Sequence, residues 1–102
     1  MNISIVAKDY KLTEAIKREI ISKLKLTLKS NSRKIRKTEI TLSKQINSAG
    51  HTEKLCVMKV RINHLRALVA KTISNSMTES INSNIMLLRD RLEGKHINKK
   101  VV

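Results

Sequence analysis

Apolar residues in this chain recur every second residue, then every fourth, then every second again and finally every fourth, and this switching of period constrains the fold more than any other feature. Residues 2–7 (Asn-Ile-Ser-Ile-Val-Ala) alternate with Ile3 and Ile5 on one face, which predicts a first strand, β1, followed by a polar turn at Lys8–Lys11. Ile16, Ile20, Leu24 and Leu28 then lie four apart, with Ile21 widening the stripe. That spacing predicts a helix, α1, over about residues 14–29, and Thr13 is placed to cap it. Alternation resumes in Arg36–Ile46, β2, with Ile40 and Leu42 on one face and Glu39, Thr41 and Ser43 on the other. Asn47–His51 is a loop by composition. Glu53–Ile62, β3, then sets Cys56, Met58, Val60 and Ile62 against Leu55, Val57, Lys59 and Arg61. Met77, Ile81, Ile85, Leu88 and Leu92 make the last stripe, α2; Ser76 and Glu79 fit a capping box at its start and Gly94 is a natural stop.

Between β3 and α2, Asn63-His64 is predicted to form a two-residue hairpin turn, since Asn tolerates positive φ. Ile62 would then face Leu65, the inward set of a fourth strand, β4, would be Leu65, Ala67 and Val69, and Arg61 would lie directly opposite Arg66. The expected fold class is α+β with order β-α-β-β-β-α. A right-handed crossover through α1 sets β1 parallel to β2, and antiparallel hairpins add β3 and β4 to a four-stranded mixed sheet. Both helices would cover one face, an arrangement similar to double-stranded-RNA-binding domains. Neither a repeat nor a linker divides the 102 residues, so one domain over 1–96 is expected, with 97–102 a short basic tail.

Composition narrows the function. Only Tyr10 is aromatic, so the core must be aliphatic, and recognition by stacked bases or an aromatic cage is nearly excluded. Twenty-two Lys and Arg against eight acids give a formal charge of +14, an excess that points to a polyanionic partner. No run has the apolar length of a membrane span or a signal-peptide core, which reads as a soluble, cytoplasmic protein with no membrane partner. Cys56, the single cysteine, is expected to be a small core residue. Met58, Met77 and Met86 read as gap-filling core residues. His51, His64 and His96 do not converge as metal ligands would, and the acids fall on helix starts and exposed strand positions instead of pairing in a pocket. Two glycines so far apart cannot build a phosphate-cradling loop. Neither an enzyme, a cofactor, a metal nor a small-molecule substrate is implied.

With that order of elements in place, the chain resembles a known family over about residues 1–96: the ribosome hibernation-promoting factors and ribosome-associated inhibitor proteins, also called the sigma modulation family. The resemblance is carried by Met1-Asn-Ile-Ser-Ile followed by Leu12-Thr-Glu-Ala-Ile16, by Lys23-Leu24, by Thr41-Leu-Ser-Lys44, and by the spacing of Met77, Ile81, Ile85, Leu88 and Leu92. It departs at Ser76-Met77-Thr78, where the family usually has Asp-Met-Tyr, and at Leu26-Thr27-Leu28, where aromatic residues are usual. By length the chain resembles the family's short form. The resemblance implies a translational silencer that occupies the messenger and transfer RNA channel of the small ribosomal subunit under stress or in stationary phase. Its partners would be that subunit and its ribosomal RNA.

Charge and resemblance together nominate the RNA-binding residues. Lys17, Arg18, Lys25 and Lys29 lie off the apolar stripe of α1, with Lys23 beside it; Lys17 and Lys23 are the better matches to basic positions of the family's first helix. Arg89, Arg91 and Lys95 of α2 are expected to join them on the exposed side of the helical layer. Arg61 and Arg66, with Lys59 and Lys71, form a second basic patch on the open sheet face. Phosphate contacts release counterions and read no sequence, which suits a convex basic layer against folded RNA. The alternative class is a generic double-stranded-RNA or DNA-binding module; a permanent ribosomal protein ranks third.

Overall fold

The computed structural model describes residues 2–63 and 67–94. Its elements run β1 (Asn2–Ala7), α1 (Glu14–Thr27), a 3₁₀ turn (Lys29–Asn31), β2 (Ile35–Ile46), β3 (Thr52–Ile62), β4 (Leu68–Ser74) and α2 (Met77–Leu92). The strands form one sheet in the order β1-β2-β3-β4, with β1 parallel to β2 and the other neighbours antiparallel. This is the mixed β-α-β-β-β-α sheet expected from the periods. The tail from residue 95 onward lies outside the described residues.

The two apolar stripes and the inward strand faces meet in one aliphatic core. Ile20, Leu24 and Leu28 from α1 and Met77, Ile81, Ile85 and Leu88 from α2 are buried with Ile40, Leu42, Cys56, Met58, Val60 and Ala70 of the sheet. Tyr10 only borders it. Met86, expected inside with the other methionines, is instead 46% exposed, because it lies on the side of α2 opposite Ser80 and Asn84. Helix ends follow local chemistry. Thr13 Oγ1 accepts from the Ile16 amide, and Gly94, at φ +77, takes the left-handed conformation that stops α2. The Ser76 box is half made. Ser76 Oγ accepts from the Glu79 amide at 3.4 Å, but the Glu79 carboxylate accepts from Ser74 Oγ at 2.8 Å instead of reaching back to the Ser76 amide.

The hairpin register differs from the expected one by one residue. β3 pairs with β4 as Lys59↔Val69 and Val60↔Leu68, so Leu68, Ala70 and Thr72 point inward, while Val69, 48% exposed, points out. The expected Asn63-His64 turn and the expected facing of Arg61 and Arg66 fall on His64, Leu65 and Arg66, which lie outside the described residues. Apolar residues occupy both parities of 65–73, so alternation could not choose between the faces. The helix chose. A small Ala70 inward lets α2 approach, and Thr72 Oγ1 donates to the Ser80 carbonyl at 2.7 Å while Asn84 Nδ2 donates to the Ala70 and Cys56 carbonyls, each at 2.9 Å.

β2 carries one irregularity. Ile35 pairs with Ile62 and Lys37 with Arg61, which leaves Arg36 as an extra residue in a β-bulge. The bulge reconciles buried Ile35 with buried Thr38 and Ile40, which a regular strand would send to opposite faces.

Candidate nucleic-acid interface

Helical phase decides which predicted cations are presented. On α1, Arg18 and Lys25 are exposed on the side facing away from Ile20 and Leu24, with Ser22 between them; Lys29, expected within α1, is exposed in the 3₁₀ turn that follows it, since α1 ends at Thr27. Lys17 lies three residues before Ile20 and seven before Leu24, and is half-buried along the core side. Lys23 turns toward α2: its Nζ donates to Asn82 Oδ1 at 3.1 Å and stands 4.0 Å from the Glu19 carboxylate.

The α2 cations do not join this stripe. Arg91 follows Asn84 by two turns, so it faces β4, and its guanidinium donates to the Val69 carbonyl. Arg89 follows Asn82 by two turns on the flank turned to α1; it is partly buried, pairs with Asp90 at 3.5 Å, and its Nε lacks a partner. The outer side of α2 is instead neutral to acidic, with Glu79, Asn82, Ser83 and Met86 exposed. A layer expected to be one basic field is thus a basic α1 beside a neutral α2. Lys95 lies outside the described residues.

The open face of the sheet mixes charge with aliphatic surface. Lys37 faces Arg61 across the β2–β3 ladder, and both approach the Glu39 carboxylate, at 3.4 and 3.8 Å. Beyond them Leu55, Val57, Val69 and Ile73 interrupt the cations Lys59 and Lys71. Four closely spaced cations missed in the sequence, Arg33, Lys34, Arg36 and Lys37, join this end of the sheet. Their signal was present: Ile35 and Ile40 are both apolar but five apart, a spacing that calls for a bulge.

Among the described residues no His, Cys, Asp and Glu group suits a metal ion, and no helix is long and apolar enough to cross a membrane. The cleft between α1 and α2, floored by Ile16, Ile20 and Ile81 under Tyr10, has about 40 Å³ of free space. Sites for small molecules are roughly ten times larger. Cys56 is fully buried as expected, and burial pushes its thiol up to about 12. About one molecule in 10⁴ would then carry a thiolate at pH 8, so a soluble alkylating reagent should leave native protein unmodified over hours and react at once after unfolding in urea. Rapid native labelling would show that β3 opens far more often than its burial implies.

No family model and no curated protein matches the sequence. Solved structures do match the fold. A ribosomal subunit interface protein from Coxiella burnetii superposes with TM-score 0.74 at 18% identity, covering 95% of this chain and 99% of that one. The N-terminal domain of Protein Y from Thermus thermophilus gives 0.71 at 15% identity, with the same coverage of both chains. This chain therefore has, over nearly its whole length, the fold of the ribosomal subunit interface protein and of the N-terminal domain of Protein Y, the fold class that the hibernation-promoting-factor resemblance of its motifs implied.

Proposed function

We propose that the protein binds the ribosome as a hibernation factor, without chemistry of its own. It would occupy the messenger and transfer RNA channel of the small subunit in idle cells and silence translation by steric occlusion. The observation that carries this reading is the end-to-end fold match with two proteins of which one is named for the ribosomal subunit interface. The charge of +14 and the exposed Arg18, Lys25 and Lys29 supply a means of holding ribosomal RNA phosphates. Such binding would put the protein in the cytoplasm. Lys17, Lys23, Arg61 and Arg89 would contribute at the margins of the contact.

Sedimentation of purified ribosomes with the protein across a salt series tests this. With about six phosphate contacts, log affinity should fall against log salt with a slope near −4 to −5. Replacing Arg18, Lys25 and Lys29 together with Gln should leave the fold intact, because exposed substitutions change stability by about 0.5 kcal/mol or less, while the slope shrinks by roughly 2 to 3. Initiator transfer RNA should displace the wild-type protein, and translation in a purified system should stop at stoichiometric amounts. Equal affinity for ribosomes and for any RNA duplex, with no displacement, would favour the generic duplex-binding module instead.

A further inference from the structure

A denser set of cations than the α1 stripe sits at the end of the fold where both helices finish, β2 begins and β3 ends. Lys29, Arg33, Lys34, Arg36 and Arg61 are exposed there, with Lys37 half-buried among them. Glu39 is already shared by Lys37 and Arg61, and Asp90 pairs with Arg89; Glu93 caps the end of α2 nearby. Arg33, Lys34 and Arg36 have no carboxylate within ion-pair distance among the described residues. Helix dipoles account for basic residues in a last turn, such as Lys25, but the effect does not reach past it to Arg33–Arg36.

Backbone geometry holds these cations outward. Asn31 is buried, Ser32 Oγ donates to the Lys29 carbonyl at 3.0 Å, and the Lys34 amide donates to the Asn31 carbonyl at 3.0 Å. From β3, the Asn63 amide donates to the Lys34 carbonyl at 3.0 Å and Asn63 Nδ2 to the Arg33 carbonyl at 3.3 Å. With both carbonyls tied inward, the two side chains project to solvent from a fixed base. The bulge then does what a regular strand cannot: it sends Arg36 and Lys37, consecutive residues, outward together beside Arg61. Lys29, Arg33 and Lys34 on this pinned turn, with Arg36, Lys37 and Arg61 on the strands beside it, carry a self-repulsion that Glu39 offsets only in part and an array of phosphates would relieve.

We propose that this bulged end, built on Arg33, Lys34 and Arg36 with Lys37 and Arg61, is a phosphate-backbone clamp for double-helical RNA, distinct from the α1 cations Arg18 and Lys25, with Lys29 lying between the two. It rests on the reading that the protein binds RNA. A duplex is favoured over a single strand because the end holds no aromatic residue on which unpaired bases could stack.

The test compares wild-type protein, Arg33→Gln/Lys34→Gln/Arg36→Gln and Arg18→Gln/Lys25→Gln, each checked for folding by circular dichroism. Each is titrated with ribosomes, with an RNA duplex of about 16 base pairs, with its single strand and with polyglutamate. The triple variant should lose on the order of 100-fold in duplex affinity near 0.1 M salt, and its slope should shrink by about 2 to 3. A triple variant with wild-type duplex affinity and slope overturns the clamp, even where ribosome binding and the α1 effect hold. Wild-type protein that ignores ribosomes but holds duplex through Arg33–Arg36 sinks the hibernation reading and keeps the clamp. Loss of polyglutamate binding alone would assign the end to an acidic protein and overturn it.

Discussion

Asn84→Asp is expected to destabilise the protein by about 3–5 kcal/mol at neutral pH, a large share of the roughly 5–15 kcal/mol that holds a domain of this size. Asn84 is fully buried under α2. Its Nδ2 donates to the Cys56 and Ala70 carbonyls at 2.9 Å and to Thr72 Oγ1 at 3.1 Å, while Oδ1 has no partner. An ionised carboxylate in that place would aim an acceptor at two acceptors and bury a charge without a counterion. Protonated, it could restore one donor. The folded state should therefore raise the pKa of the introduced carboxyl above its unfolded value of about 3.9, which sets the sign. Below that value both states are protonated and the deficit relative to wild type is smallest. As pH rises the unfolded state ionises freely and the folded state does not, so the deficit grows until the folded group ionises too. Urea unfolding of both proteins between about pH 3 and 7 reads this out. Parallel curves would mean that the amide nitrogen does not face the carbonyls.

Truncating Ile85 to Ala should cost about 2–5 kcal/mol, and Ile85→Leu less than about 1.5 kcal/mol. Ile85 is 3% exposed in a core with no aromatic residue fully inside, so no large neighbour can swing in to fill the space it leaves. The two apolar helix faces and the inward strand faces meet there, which makes the position answerable to the whole fold. Equilibrium unfolding in urea checks the pair. A change under about 0.5 kcal/mol, the size of a surface substitution, would place α2 off the sheet.

The core was legible because burial imposes a period. Ile20, Leu24 and Leu28 repeat every four residues, Cys56, Met58, Val60 and Ile62 every two, and each set is buried as its spacing requires. The cations were harder, since solvent imposes no period on them. Being off the stripe led to the expectation that Arg18, Lys25 and Lys29 are exposed, as they are, but the same reasoning exposed Lys17 and Arg91, which are half-buried in the folded chain. A wheel that includes the polar Ser80 and Asn84 in the buried arc of α2 would have located Arg91, because the residue two turns beyond a buried asparagine shares its direction.

What the sequence determined by itself is the number, kind and order of the elements, and the side of each that goes inside, since aliphatic residues leave water wherever the backbone repeats. Three features depended on contacts between elements distant in the chain. The register of β4 was set by Asn84 and Ser80 bonding to Ala70 and Thr72, where apolar residues stood at both parities. The bulge at Arg36 followed from fitting Ile35 against Ile62 while Thr38 met Val60. The clustering of Arg33, Lys34, Arg36 and Lys37 beside Arg61 followed from that bulge and from Asn63 reaching back to the turn. Local periodicity carries the pull of water on each segment; register and the meeting of charges depend on which segment is pressed against which, and only the folded chain decides that.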